Sequence, residues 1–241
     1  MQSLPPARRR RGRKRLIAAL VLATGLFVAL GVWQVERRSE KLALIAAVNE
    51  RVNASPSAAP GPAEWPHISS ARDAYRHVVV QGTFEHDRET QVQAVTDLGA
   101  GYWVLTPLRT NMGWTVLVNR GFVLPENRPR DSRLRDEPNG AVTVTGLLRI
   151  SEPKCAFLRT NDPKSDRWYS RDVTAIGHAR QLENLAPYFI DAGAMPTPAG
   201  QPVGGLTVIA FYNHHLQYAL TWLALAMLSI AGLVVVCRDA P

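Results

Sequence analysis

The sequence predicts a membrane protein in which two transmembrane α-helices flank a β-rich (α+β) extramembrane domain. Two apolar runs, 16–35 and 216–236, carry no charged side chain. Each is long enough to span a hydrocarbon core of roughly 30 Å at about 1.5 Å of rise per residue, and helices are the economical way to satisfy a backbone in lipid. A basic cluster precedes the first run. Between the runs lie short segments rich in Val, Thr and aromatic residues, separated by Gly and Pro, the pattern of strands and turns.

The chain divides in order from its start. Residues 1–15 form a basic tail holding Arg8, Arg9, Arg10, Arg11, Arg13, Lys14 and Arg15. Seven units of the formal charge of +8 come from this tail, leaving +1 for the other residues. The charge therefore points to a membrane flank and not to nucleic acid, and it predicts a cytoplasmic N-terminus. The first transmembrane helix is expected at 16–35. It is too long for a cleaved signal, and Val32-Trp33-Gln34-Val35-Glu36 has no small-x-small cleavage pattern, so an uncleaved anchor is expected. Only 15 residues precede it, which argues against a mitochondrial transit sequence and for a bacterial inner membrane. A helical extension follows at 36–54, where Leu42, Ile45, Val48 and Val52 recur at spacings of three and four. Residues 55–66 contain four prolines and read as a linker.

The extramembrane domain spans 67–212. Strands are expected at 76–84, 102–108, 114–122 and 142–150. Asn111-Met112-Gly113 suggests a hairpin between the second and third. Residues 128–140 read as a charged loop and 173–185 as a helix. The second transmembrane helix is set at 213–236, and the tail 237–241, with Arg238, returns to the cytoplasmic side. The middle domain is then periplasmic. Gly25 and Ala29 have the small-x-x-x-small spacing that permits close helix packing, within one chain or between two.

The chemistry census excludes several classes. No H-E-x-x-H, G-x-S-x-G, P-loop or G-x-G-x-x-G pattern occurs, and no enzyme is indicated. His67, His77, His86 and His178 lie in unrelated contexts without metal-ligand spacing. Of the two cysteines, Cys155 falls in the domain and Cys237 beyond the second span, so this topology keeps them apart. No C-x-x-C is present, which speaks against thioredoxin-like chemistry and thiol-based copper delivery. Cys155 reads as a small packed residue.

The entry to the second span is Tyr212-Asn213-His214-His215-Leu216-Gln217-Tyr218-Ala219-Leu220-Thr221-Trp222. Titratable groups at a membrane boundary are functional candidates. At helical spacing His215, Tyr218 and Trp222 share one face. A neutral imidazole there can ligate iron beside an apolar aromatic wall. An interfacial aromatic belt with Asn213 as an ordinary N-cap is the competing reading. The exit of the first span carries Gly31, Trp33, Gln34, Arg37 and Lys41, which read either as an interfacial anchor or as part of one site with the second cluster.

These segments resemble the surfeit-locus family of cytochrome c oxidase assembly factors, Shy-like proteins and bacterial members included. The likeness is carried by Gly31-x-Trp33-Gln34-x-x-Arg37-x-x-x-Lys41, by Tyr75-Arg76-His77-Val78 with Gly82-Thr83-Phe84, and by Gly101-Tyr102-Trp103-Val104-Leu105-Thr106-Pro107-Leu108 with Val116-Leu117-Val118-Asn119-Arg120-Gly121-Phe122. Asn213-His214-His215-Leu216-Gln217-Tyr218-Ala219-Leu220-Thr221-Trp222 completes it, and Trp168-Tyr169-x-Arg171-Asp172 adds a weaker match. The likeness covers most of residues 29–226. Phe122 stands where the family often has Trp.

The resemblance implies a chaperone for the catalytic subunit of haem-copper oxidase that helps a-type haem reach its site. The implied partners are cytochrome c oxidase subunit I, the haem a synthesis machinery and the lipid bilayer. The implied cofactor is haem a, held through His215, the position matching the family's histidine, with His214, Tyr218 and Trp222 beside it. Arg37 and Arg120 are candidate partners for its propionates. A scaffold that binds oxidase subunits without haem is the alternative.

Overall fold

The structure is a computed structural model that describes residues 6–153, 159–194, 202–207, 209, 211 and 213–238. The reading of Cys155 lies outside the described residues. The chain forms two compact units, residues 1–47 with 210–241, and residues 48–209.

The first unit is helical. Helix α1 runs without interruption over Pro6–Asn53, joining the expected tail, span and extension into one element. Its only proline is at its first residue, where a missing N–H costs nothing, and Pro56 follows its end. The closing helix of the chain covers His215–Arg238 and is named α4 below. Both are long and apolar enough to cross a membrane.

The two helices pack through a heptad seam. On α1 it uses Arg13, Ile17, Leu20, Thr24, Phe27, Gly31 and Gln34, positions held back from solvent in alternating steps of four and three. On α4 it uses His215, Ala219, Trp222, Ala226, Ser229, Leu233 and Val236. Steps averaging 3.5 residues keep one stripe facing a partner along a left-handed pair. Phe27 stacks on Trp222 with ring centroids 5.8 Å apart. The hydroxyls of Thr24 and Ser229 lie 3.0 Å apart, and both come within hydrogen-bond distance of the Leu20 carbonyl, at 2.8 and 3.1 Å. Arg13 donates to the Cys237 carbonyl at 3.3 Å. Gly25 and Ala29 are exposed, and a side-chain carbon on Gly25 would meet nothing within 4 Å. Close approach within the pair instead uses Gly31 and Gly232, whose added Cβ atoms would each lie 3.7 Å from α4 or α1 side chains.

The second unit is a β-barrel with appendages. Strand β1 is Ser57–Ala58, and a short helix α2 covers Ser70–Asp73. Strands β2 (His77–Phe84), β3 (Thr90–Thr96), β4 (Gly99–Thr110), β5 (Thr115–Val123) and β6 (Ala141–Ile150) follow. Helix α3 (Val173–Ala179) and strand β7 (Leu185–Ala192) complete it. The pairing order β2-β6-β7-β5-β4 closes on itself through β2–β4, where Gly82, Thr83 and Phe84 meet Thr110, Arg109 and Leu108. Strands β1 and β3 pair outside this ring, and closure leaves the five strands without a free edge.

Alternation along the strands builds two cores. Val78, Val80, Phe84, Leu108, Val116, Val118, Val144, Leu148, Tyr188 and Ile190 come from all five barrel strands and fill the interior with Trp114. Leu117 and Phe189 point the other way and pack with Val92, Leu105, Trp168, Val173 and Ile176 beneath α3. Strand β5 is therefore buried along its whole length.

Several expectations are revised. Residues 128–140 are not a plain loop, because a 3-10 segment occupies Arg130–Asp136 after another at Pro125–Asn127. The helix expected at 173–185 ends at Ala179; residues 180–184 form turns and bends, and Leu185 opens strand β7. The linker 55–66 contains β1, and the Pro60 carbonyl accepts from Tyr188 Oη at 2.7 Å and Trp65 Nε1 at 3.0 Å, so barrel and helical turn both hold it. The Asn111-Met112-Gly113 turn joins β4 to β5 as a hairpin, with Gly113 at φ +86°.

Candidate functional site

The outstanding polar contact of the helical unit is between Gln34 and His215. His215 opens the first turn of α4, and its Nδ1 lies 2.7 Å from Gln34 Oε1 on α1. Gln34 is only 9% exposed. One rung in the N-terminal direction of α1, Gly31 faces Trp222. One rung further out, Lys41 Nζ sits 5.2 Å from the centroid of the Phe211 ring, a cation–π distance. Gly31, Gln34 and Lys41 thus share the inner stripe of α1, because three, four and seven residues return a helix to nearly the same face.

The other residues of the two clusters point elsewhere. Trp33 is 53% exposed, and Arg37, also exposed, pairs with Glu40 at 2.7 Å. Tyr218 is 56% exposed and does not join His215 and Trp222 on the seam. His215 and Trp222 are seven residues apart and coincide on a 3.5-residue stripe, whereas Tyr218 falls on the flank. An aromatic wall built from His215, Tyr218 and Trp222 together does not form, and Trp222 is committed to Phe27. Helix α4 begins at His215, so Asn213 lies one position before the cap, and its buried Oδ1 has no hydrogen-bond partner among the described residues. His214 is exposed, and its carbonyl receives Tyr218 N at 3.3 Å. Among the described residues no three His, Cys, Asp or Glu side chains converge to hold a bare metal ion.

Arg120 is a correction of a different kind. It is 2% exposed inside the barrel unit, not at a surface. The register of β4 and β5 shifts between Val104 and Leu105, which pair with Gly121 and Asn119, so Arg120 is the extra residue of a bulge. Its guanidinium donates to the Asp136 carbonyl at 2.6 Å, approaches His86 Nδ1 at 3.4 Å and covers the Phe84 ring. Burial pushes its pKa down, with Glu89 and Glu137 opposing. Arg120 pins the 3-10 segment Arg130–Asp136 to the barrel, and its burial there removes it from the surface at which a propionate partner is expected.

The remaining quoted segments serve the domain. Trp168 is buried under α3, and Asp172 caps that helix by accepting from Ala175 N at 3.1 Å. Arg171 bonds Glu152 and Asp191, as Arg149 does, making a four-charge cluster around Phe189. Gly101 leaves room for the Phe122 ring, which meets Trp103 edge-on at 5.7 Å. Sequence reasoning grouped Gln34 with the first cluster and His215 with the second without pairing them, and it passed over Phe27, Thr24, Ser229 and Phe211. The signal was present in the 20/24/27/31/34 spacing of α1 against 215/222/229 of α4.

Comparison with known proteins identifies the family. The sequence model of the SURF1 family matches residues 21–227, a stretch that holds the whole barrel and the seam residues from Thr24 to Gln34 and from His215 to Ala226. Surfeit locus protein 1 of Homo sapiens is 36% identical over 214 residues, covering 82% of this chain and 69% of the relative. Surfeit locus protein 1 of Mus musculus is 35% identical over 222 residues, covering 86% and 70%. The SURF1-like protein of Monosiga brevicollis is 35% identical over 227 residues, covering 88% and 84%. With a family match over most of its length and relatives of this similarity, the chain belongs to the SURF1 family.

Proposed function

We propose that this chain is a membrane-anchored assembly factor for haem-copper cytochrome c oxidase, which holds a-type haem through His215 and aids its insertion into subunit I. In this reading it works beside the haem a synthesis machinery in a bacterial inner membrane, with both termini cytoplasmic and the barrel periplasmic. The reading rests on one observation above others: His215 is held at the end of the helical pair by a single bond to Gln34 through Nδ1. Among the described residues no hydrogen bond engages its Nε2, which suits it to ligate iron.

The donor set fits the group in kind. A lone imidazole cannot retain a bare ion but can hold one axial position of an iron already gripped by a porphyrin. The buried Oδ1 of Asn213, without a hydrogen-bond partner among the described residues, supplies an acceptor two residues away in sequence. The haem is cargo here, and what it supplies is an open coordination position on iron. His215 binds, Gln34 orients the ring, and the apolar outer face of α4, with Leu216, Leu220 and Leu223 exposed, offers a greasy surface for an isoprenoid tail.

The test is an absorption spectrum of the detergent-purified full chain after coexpression with haem a synthesis enzymes. Bound a-type haem is expected, with His215→Ala losing it and His214→Ala keeping it. Full haem content in His215→Ala would remove His215 from the role. The second reading, a scaffold that binds oxidase subunits without haem, draws on Trp222 being stacked on Phe27 instead of lining an open wall. It predicts normal oxidase content in a deletion strain carrying the His214→Ala/His215→Ala chain, where the haem reading predicts a deficit.

A further inference from the structure

We infer that Gln34 is a positioning residue that selects the tautomer of His215. The inference rests on the haem reading for its purpose but not for its first measurement. The geometry is specific. Oε1 of the Gln34 amide faces Nδ1 of His215 at 2.7 Å, so Nδ1 carries the hydrogen and donates it, and the lone pair is left on Nε2. Gln34 is a buried polar residue on an α1 stripe that is apolar from Phe27 to Gly31, and its burial keeps water from competing for the bond. Phe27 stacked on Trp222 and the close approach at Gly31 fix the two helices beside it, so the amide meets the ring at a set height.

The bond also separates the two adjacent histidines. His215 meets Gln34 through Nδ1. His214 is exposed on the preceding turn. The identity of the acceptor has a chemical consequence. A carboxylate behind a ligating imidazole raises its donor strength, as in carboxylate–histidine–metal triads. A neutral amide fixes the same tautomer and orientation while pushing less electron density toward the iron. That combination suits a protein that must hold a haem and then release it, since a weaker donor leaves the iron more easily.

The first measurement uses the full chain in detergent micelles without haem, labelled with ¹⁵N-histidine. Long-range ¹H–¹⁵N correlations report which ring nitrogen of His215 bears hydrogen, with the signal assigned by its loss in His215→Ala. The Nδ1–H tautomer is expected in the wild-type chain and a mixture in Gln34→Leu. An Nε2–H tautomer in the wild-type chain, the result if the amide is turned so that its NH₂ donates, overturns the inference whatever Gln34→Leu does. The second measurement is haem a titration. Gln34→Leu is expected to weaken binding about 10-fold, the usual scale for removing an outer partner of a metal ligand, while Gln34→Glu retains binding, lowers the haem midpoint potential and slows haem loss. Unchanged affinity and potential in both variants overturn it. An Nδ1–H tautomer in a chain that binds no haem would instead refute the haem reading and leave the tautomer assignment standing.

Discussion

His86 and Arg120 show how far a single side chain's surroundings can depart from its default. Arginine is ordinarily solvated, and nothing in Val118-Asn119-Arg120-Gly121 announces burial; the bulge that turns Arg120 inward arises from a register shift between β4 and β5, which only the folded pair defines. His86 shares its environment. Its Nε2 faces the Pro138 carbonyl at 3.2 Å and its Nδ1 faces Arg120, so the neutral ring donates at one nitrogen and accepts at the other. Burial holds the His86 pKa below its ordinary 6.5, and the Arg120 charge adds to this against the Pro138 bond. The sign follows from linkage. A folded-state value below the unfolded one means the unfolded chain takes up the proton first, so stability is full above about pH 6.5 and declines as pH falls toward the lowered folded value. The thermal midpoint of the full chain should therefore drop between about pH 7 and 5.5, and His86→Gln should flatten that slope. An unchanged slope would mean that another group carries the effect. Arg120→Met should lower stability by about 3 kcal/mol in denaturant unfolding followed by tryptophan fluorescence, because the Asp136 carbonyl and the nearby carboxylates lose their buried cation.

At the scale of elements, the barrel depends on a contact that no local pattern reveals. Gly82 of β2 lies so close to the Arg109 carbonyl of β4 that a side-chain carbon would collide with backbone, and this is where the ring closes. Gly82→Ala should cost about 2 kcal/mol or more, read as a lowered denaturant midpoint, because neither strand can move without opening the closure. The four strands expected from Val, Thr and aromatic content are all present, since their residues fill a half-buried or fully buried pleat. Three more were passed over, the two-residue β1 in the linker and two others for identifiable reasons. Strand β3 (Thr90–Thr96) is polar along much of its length and lies outside the ring. Strand β7 (Leu185–Ala192) contains Pro187, which argues against a central strand; it is accommodated because the β5–β7 register jumps between Leu185 and Phe189, leaving no ladder bond for the proline to break. In the helical pair, the Thr24–Ser229–Leu20 contact fixes register. Thr24→Val combined with Ser229→Ala should weaken the pair by about 0.6–2 kcal/mol, the measured range for interhelical polar contacts in lipid. Gly31→Ala should be neutral or slightly favourable, since its Cβ would lie at an ordinary 3.7 Å from Trp222 and alanine favours helix. Crosslinking across cysteines placed at Leu20 and Gly232 would report both changes.

At the scale of the whole chain, the two apolar runs alone suggested two spans, but not that they stand level. The seam supplies that. Gln34 meets His215 at one end and Arg13 meets Cys237 at the other, so 16–35 and 216–236 lie side by side over the same depth. The 48 residues of α1 extend about 70 Å, far beyond a hydrocarbon core of roughly 30 Å, and the charges Glu36, Arg37, Arg38, Glu40 and Lys41 mark where it leaves the apolar run. In the proposed orientation the opposite end, where Arg11, Arg13, Lys14 and Arg15 cluster, is cytoplasmic, in keeping with its excess of basic residues. Everything between the spans must then emerge on the far side, because an even number of crossings returns the chain. A phosphatase that is active only outside the cytoplasm, fused after Arg130, should be active, and the same reporter fused after Arg238 should be silent, with a cytoplasm-dependent fluorescent reporter giving the reverse at both positions. Replacing Arg8, Arg9, Arg10, Arg11, Lys14 and Arg15 with glutamine should raise the fraction of inverted chains without loosening the seam, since Arg13 and the packing residues from Ile17 to Gln34 are untouched. A fluorescent fusion at Arg130 in the wild-type chain would refute the orientation, and with it the placement of His215 at the outer face.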